Sequence, residues 1–173
     1  MPLAVTHVLL TIILVDLYRD YITKHKKYFS LHTILFAGIG GLLPDIDVPI
    51  NWVLNSFGYF PDILKHGGVT HTPLFGLIFL IPAFILLKKG KYKISVYFFV
   101  ITFGILFHIF LDYLIGGGTY EGIMWFYPFS TVTYKIHLLT NIGLRNLAAG
   151  IDAIILLAWL WHEEIKHKII DFI

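Results

Sequence analysis

Histidine and aspartate recur in several separate segments of a chain that is otherwise strongly apolar. Imidazole nitrogen and carboxylate oxygen are the atoms with which proteins bind zinc, manganese and iron. An ionised group in apolar surroundings is costly unless it is paired or binds a cation. We therefore interpret these residues as candidates for one shared metal site. They are His7, Asp45, Asp47, His66, His71, His108 and Asp112.

Two local spacings strengthen this interpretation. In HIFLD, His108 and Asp112 are four residues apart, so a helix presents both on one face and can hold an ion between them. In LLPDID, Asp45 and Asp47 follow Pro44 and gather several oxygens into a small volume, which favours a neutralising cation. An open catalytic zinc needs about three protein ligands. The larger set therefore indicates two ions, or one ion with further residues that orient its ligands or act as a base.

Each of these residues also has a simpler interpretation. Asp45 fits a turn or a helix cap, and His66 and His71 fit loop positions at the membrane surface. A single histidine in an apolar helix, such as His7, is commonly hydrogen-bonded to a neighbouring helix. Asp152 fits a metal-site role and an interhelical hydrogen bond equally well. The shared metal site is preferred because the helices predicted below place all seven candidates at the same level, near one end of the bundle.

The composition indicates the elements that must position these residues. The 173 residues are 57% hydrophobic and 14% charged, and the mean hydropathy is +0.78, which is typical of a membrane protein. The absence of cysteine excludes disulfides and thiolate metal ligands. The net charge of +2 gives no indication of nucleic-acid binding. We expect one membrane-embedded helical domain over residues 1–173.

Apolar runs predict about five transmembrane helices. They cover residues 1–18, 31–44, 72–87, about 94–115 and 145–161. Helix two is short, and its glycines Gly38, Gly40 and Gly41 allow a neighbouring backbone to approach closely. In helix three, Pro82 predicts a kink.

The distribution of basic residues predicts the orientation of these helices. Ten of the thirteen lysines and arginines fall on one side of the predicted membrane, which makes that side cytoplasmic. The ten are Arg19, Lys24, Lys26, Lys27, Lys88, Lys89, Lys91, Lys93, Lys166 and Lys168. The N-terminus is then outside, the C-terminus is cytoplasmic, and the candidate metal site lies at the outer end. The outer loops also carry aromatic residues, which favour the headgroup level. These are Trp52, Phe57, Tyr59, Phe60, Trp125, Phe126, Tyr127 and Phe129.

The order of the motifs resembles a known family. From His7 to Pro128, the segments TH, LLPDID, HGGVTH, HIFLD and WFYP resemble the LexA-regulated, membrane-bound metal-dependent hydrolases, the YdjM-like proteins. That family is similar in motif pattern to zinc-dependent phospholipase C and P1-type nucleases, which are helical and hydrolyse phosphodiesters with clustered metals. The resemblance implies that the seven candidates are the metal-site positions. One departure is Gly67, where the family commonly has an arginine that could hold a phosphate.

We therefore expect an all-α integral membrane bundle that hydrolyses a phosphoester, with a lipid-linked substrate the favoured kind. One or two divalent ions, zinc before manganese or iron, would activate water, and Asp45 and Asp47 are the expected catalytic residues. The lipid bilayer is the expected partner, and the sequence leaves the oligomeric state open. Two alternatives remain: a membrane protein that binds or transports metal ions, and a structural helical module that binds none.

Overall fold

Helices supply almost all of the regular structure in this computed structural model, which describes residues 4–23, 28–59, 66–115, 122–136, 138 and 148–167. The helices are α1 (Ala4–Leu17), α2 (Leu31–Leu42), α3 (Asp47–Ser56), α4 (Pro73–Ile78), α5 (Leu80–Lys88), α6 (Tyr92–Ile115) and α7 (Ala148–His167). A π-helical segment, Tyr18–Thr23, follows α1, and 3-10 segments at Leu43–Ile46 and Val69–His71 precede α3 and α4. Within the described residues, β-structure is limited to one bridge between Ile123 and Tyr134. The expected all-α class is confirmed.

Close packing of α2 against α6 forms the centre of the fold. A Cβ atom built on Gly104 would lie 2.5 Å from the carbonyl oxygen of Ala37 and 2.6 Å from the amide nitrogen of Gly41. A Cβ atom on Gly40 would lie 2.5 Å from the carbonyl oxygen of Ile101. Only glycine permits such contacts, and small residues are the usual means of bringing membrane helices together. The glycines of predicted helix two act as the sequence indicates.

A buried isoleucine cluster lies alongside this contact. It consists of Ile101, Ile105, Ile109 and Ile123. The segment 122–136 therefore returns to the end of α6, where the amide of Ile136 also donates a hydrogen bond of 2.9 Å to the carbonyl of Tyr113. This segment packs beside the turn of α6 that carries Asp112.

Predicted helix three is divided in two. A turn at Phe79 separates α4 from α5, whereas the sequence predicts one helix over 72–87 with a kink at Pro82. Proline lacks an amide hydrogen and its ring collides with the carbonyl four residues earlier, which here belongs to Ile78. The interruption therefore falls about one turn before the proline.

The region after Asp45 also differs from the prediction. The sequence predicts that helix two ends there and that an outer loop follows, but a 3-10 turn leads directly into α3. Pro44 and Pro49 both fall in a first helical turn, where a missing amide hydrogen removes no helical hydrogen bond.

Two helices of the described residues are long and apolar enough to cross a membrane. They are the continuous stretch Leu31–Ser56 and α6, with 26 and 24 residues. The apolar stretch Pro73–Lys88 is shorter. The structure thus supports a helical membrane protein, while the number of five crossings stays a prediction. Several residues used to predict the topology lie outside the described ranges: Lys24, Lys26, Lys27, Phe60, Lys65, Arg145 and Lys168.

Charged residues join α1 to α7 at the end away from the candidate metal site. Arg19 lies 2.8 Å from Asp16 and 2.9 Å from Asp20, and all three side chains are nearly inaccessible to solvent. Lys166 of α7 lies 3.1 Å from Asp20 and over the ring of Tyr21. Asp16 and Arg19 therefore form an ion pair, and the network attaches the end of α7 to the π-helical segment.

Candidate metal centre

All seven candidate residues belong to the described part of the chain, and the fold brings them together. His7 comes from the second turn of α1, Asp45 from the 3-10 turn after α2, and Asp47 from the start of α3. The 66–71 segment contributes His66 and His71, and the last turns of α6 contribute His108 and Asp112. Residues from five elements therefore meet at one point.

An inner group of three residues, His7, His108 and Asp112, is buried. The Nε2 atoms of His7 and His108 each lie 3.3 Å from a different oxygen of Asp112. The two imidazole rings are stacked, with centroids 3.8 Å apart. One ligand atom from each residue lies within 4.8 Å of the other two, which is compatible with a common ion.

The backbone of α2 fixes the orientation of His108. Its Nδ1 atom lies 2.7 Å from the carbonyl oxygen of Gly41. Because a carbonyl only accepts, Nδ1 carries the proton, and a neutral His108 presents a bare Nε2 toward Asp112. This is the tautomer that a metal ligand needs, and it depends on the close approach of α2 to α6.

An outer group, Asp45, His66 and His71, is partly open to solvent. Its ligand atoms also lie within 4.8 Å of one another. The side chain of His71 is buried, whereas those of Asp45 and His66 are 15% and 27% exposed. The cluster therefore has a closed inner side and a half-open outer side.

Two carboxylates connect these groups. Nε2 of His71 lies 3.6 Å from oxygens of both Asp45 and Asp112. Nε2 of His108, from the inner group, lies 3.7 Å from Asp45. Asp45 and Asp112 therefore each approach histidines of both groups.

Asp47 has a different environment from Asp45. It is fully buried, and the Nδ1 atom of His66 lies 3.1 Å from one of its oxygens and 3.2 Å from the other. The hydroxyl of Thr70 donates to Asp47 at 3.2 Å and lies 3.1 Å from Nδ1 of His71, so it accepts the Nδ1 proton of that ring. A carboxylate on the Nδ1 side of two histidines is the usual partner that orients metal-binding imidazoles.

Unpartnered polar atoms test whether a metal fits the centre. Nε2 of His108 and both oxygens of Asp112 are buried and have no hydrogen-bond partner among the described residues. Buried polar atoms nearly always have partners, and an uncompensated buried charge is strongly destabilising. A divalent cation would satisfy these atoms together, and the nitrogen and oxygen donor set suits zinc, manganese or iron. The residues therefore fit a metal ion.

His66 lies in the turn before the second 3-10 segment, at the open side. Burial lowers the pKa of its imidazole, but the hydrogen bond to Asp47 and the charges of Asp47, Asp45 and Asp112 outweigh burial and raise the pKa above its ordinary value. A cation that binds His66 must therefore displace a proton that the nearby carboxylates retain.

Sequence reasoning missed several contributors. Thr70 was available within HGGVTH but was not assigned, and the carbonyl of Gly41 has no signature in the sequence. Asp152, for which two roles were open, accepts a hydrogen bond of 2.8 Å from Thr6 and so joins α7 to α1 beside His7. Gly67 has a φ of 85°, in the left-handed region that favours glycine. This conformation gives a structural reason for glycine where the family resemblance leads us to expect arginine.

Buried histidines and aspartates in an all-helical chain, with two helices able to cross a bilayer, define a membrane protein with a candidate metal centre. Residues 1–170 match the YdjM inner membrane protein family, and the chain belongs to that family. No curated protein and no solved structure shows significant similarity to the chain. The family membership places the protein in a membrane, in agreement with its composition.

Proposed function

We propose that the protein is a membrane-bound, metal-dependent hydrolase of a phosphoester. The observation that carries the proposal is that a closed inner group lies beside a half-open outer group. The inner group includes buried ligand atoms that have no hydrogen-bond partner among the described residues. A purely structural site needs no open side, whereas a catalytic site must admit water and substrate. The phosphoester is the substrate expected from the motif pattern, which leads us to expect a likeness to zinc-dependent phospholipase C and P1-type nucleases.

In this proposal one or two divalent ions, zinc before manganese or iron, would be held by the two groups. His7, His108 and Asp112 would hold an ion in the inner group, and Asp45, His66 and His71 would hold one in the outer group. Ions at these positions would supply Lewis-acid activation of water and neutralise charge on a phosphoryl oxygen.

The protein's own residues divide the remaining tasks. Asp45 lies at the half-open side and approaches both groups, so it is the residue best placed to accept a proton from attacking water. Asp47 orients His66 directly and His71 through Thr70, which makes it a positioning residue in this proposal.

The alternative of a metal transporter requires a polar path along the helices away from the centre. The buried hydroxyls on those helices instead bond to backbone carbonyls. Thr11 donates to His7, Thr102 to Phe98, Thr33 to Tyr28 and Ser95 to Ala83. Among the residues that the structure describes, hydroxyls used in this way give no indication of such a path, so the hydrolase is favoured. A metal-binding protein without activity remains the competing function.

The topology that we propose has five crossings, with the N-terminus outside and the C-terminus in the cytoplasm. The stretch Leu31–Ser56 and α6 meet the length requirement for two crossings. The others would be α1, the stretch Pro73–Lys88 and α7. The distribution of basic residues supports the orientation.

The proposed activity is tested on purified protein with a panel of phosphodiesters, phosphomonoesters and lipid-linked phosphates. We expect product release that stops on chelation and returns when zinc or manganese is added. His71→Ala should lose the activity. His32→Ala, at an exposed position outside the cluster, is its matched control and should keep the activity. Metal-loaded protein that hydrolyses no member of the panel would leave the non-enzymatic metal-binding protein as the better explanation.

A further inference from the structure

Helix α3 buries polar side chains and exposes mainly apolar ones, which is the opposite of a helix at a water-facing surface. Its polar Asp47 is buried, and Asn51 is half-buried against the protein. Its exposed residues are mainly apolar. Val48, Ile50, Trp52 and Val53 have exposed fractions of 52%, 36%, 77% and 46%. A helix that lies on a protein in water buries its apolar side and exposes its polar side.

The chain that follows α3 continues this apolar surface. Phe57 and Tyr59 are 82% and 62% exposed, and residues 48–59 include no charged residue. On the N-terminal side, Leu35, Ile39 and Leu42 of α2 are also exposed. Large exposed apolar residues in such numbers favour a contact with a membrane or a partner.

We infer that the outward face of α3 contacts the hydrocarbon of the lipid bilayer. The stretch Leu31–Ser56 has 26 residues, so it extends about 39 Å if helical throughout, compared with about 30 Å for the hydrocarbon core. The 12 residues of α2 alone extend only about 18 Å, so a crossing that begins in α2 must continue into α3.

Lipid explains this face better than a second copy of the chain. Helices that associate inside membranes use small residues at the contact, because apolar burial alone gives no drive there. The outward face of α3 presents valine, isoleucine and tryptophan instead. These large side chains suit acyl chains.

The position of α3 has a consequence for the metal centre. Asp45 lies two residues before α3, and the intervening Ile46 is 40% exposed. The half-open side of the centre therefore adjoins the lipid-contacting face. If the proposed function holds, on which this step rests, the substrate class is a membrane amphiphile whose headgroup carries the phosphoester.

Single nitroxide labels in liposomes test the inference without any measurement of activity. The chain has no cysteine, so Val48→Cys, Trp52→Cys and Val53→Cys each provide one labelling site. Oxygen concentrates in hydrocarbon, whereas a nickel chelate stays in water. We expect a several-fold higher ratio of oxygen to nickel collisions at these sites than at Lys89→Cys, in an exposed charged turn. Ala83→Cys, at a fully buried site, should show little collision with either.

Two results would overturn the inference. Collisions with nickel that dominate at Trp52→Cys would place the face in water. Low collision with both reagents, together with spin–spin broadening that disappears on dilution with unlabelled protein, would place a second copy there.

The substrate class is tested separately. We compare hydrolysis of one phosphoester headgroup, free and attached to a diacylglycerol in the same liposomes, and expect faster turnover of the lipid form. Faster turnover of the free headgroup would contradict the substrate class. If the labels lie in lipid but neither form is hydrolysed, α3 still contacts lipid and the proposed function is wrong.

Discussion

At the residue scale, the two ring nitrogens of His108 have separate roles. In His108, Nδ1 bonds to the carbonyl of Gly41 while Nε2 faces Asp112 and Asp45. The sequence predicts which residues converge, because helical spacing and membrane depth place them together. It does not predict that Asp45 faces the Nε2 atoms while Asp47 faces the Nδ1 atoms. The two aspartates point to different sides of the histidines because Asp45 lies in a 3-10 turn and Asp47 begins α3.

The orienting role of Asp47 gives a first prediction. Asp47→Asn removes the charge beside Nδ1 of His66 and His71, so metal affinity should fall by about 10 to 100-fold. Competition with a chromogenic chelator measures the affinity. Asp152→Asn is the matched control, because Asp152 is also buried but contacts Thr6 outside both groups, and it should retain nearly normal affinity. Equal affinities for both variants would exclude the orienting role.

Asp45 gives a second prediction, which concerns turnover. Asp45→Asn keeps the shape of the side chain but lowers its basicity, so turnover of the phosphoester should fall far more than the thermal midpoint of unfolding. Asp47→Asn should also reduce turnover, through misplaced histidines. The measurement pairs initial rates with a melting curve for each variant. A loss of activity that merely follows loss of folded protein would mean that Asp45 has a structural role.

At the element scale, the centre depends on how closely α2 and α6 pack. The short spacing that Gly40 and Gly104 permit also brings the Gly41 carbonyl to His108. The sequence predicts this packing from glycines in an apolar run. It does not predict α3, because exposed apolar and aromatic residues are common to an interfacial loop and to a helix in lipid. The turn at Phe79 was missed because a proline disturbs the helix one turn before its own position.

Alanine substitution of Gly104 tests how closely α2 and α6 pack. Its Cβ would collide with backbone atoms of Ala37 and Gly41, so Gly104→Ala should destabilise the protein by about 1–3 kcal/mol. Gly150→Ala is the control, because no atom lies within 4 Å of its added Cβ and alanine is favoured in helices by up to about 1 kcal/mol. Urea unfolding in detergent, followed by circular dichroism, measures both. Similar midpoints for the two variants would contradict the packing described here.

At the scale of the whole molecule, polar contacts join α7 to α1 at one end and to the π-helical segment after α1 at the other. Thr6 and Asp152 bond beside the metal centre, and Asp20 and Lys166 pair at the other end. Composition predicts the membrane class well, because 57% hydrophobic content is rare in soluble domains. Crossings are harder to count, because several helices fall near the length limit and length alone does not determine whether they span.

The proposed orientation can be checked by labelling single cysteines in intact cells. Lys91→Cys should be protected from a membrane-impermeant reagent until the cells are permeabilised, because the proposed orientation makes the basic turn cytoplasmic. Phe126→Cys, at an exposed position beside Tyr127, should react in intact cells. The reverse pattern would invert the topology and place the metal centre on the cytoplasmic side.

The most direct test of the central claim is the metal content of the purified protein, measured by mass spectrometry after dialysis. We expect one or two divalent ions per chain in the natural protein and in His32→Ala, and a loss of bound metal in His108→Ala and Asp112→Ala. Strong chelation should also lower the midpoint of unfolding, since an ion that binds only the folded state stabilises it. A folded, metal-free protein that takes up no zinc, manganese or iron, and whose midpoint is unchanged by chelation, would contradict the assignment of a metal centre.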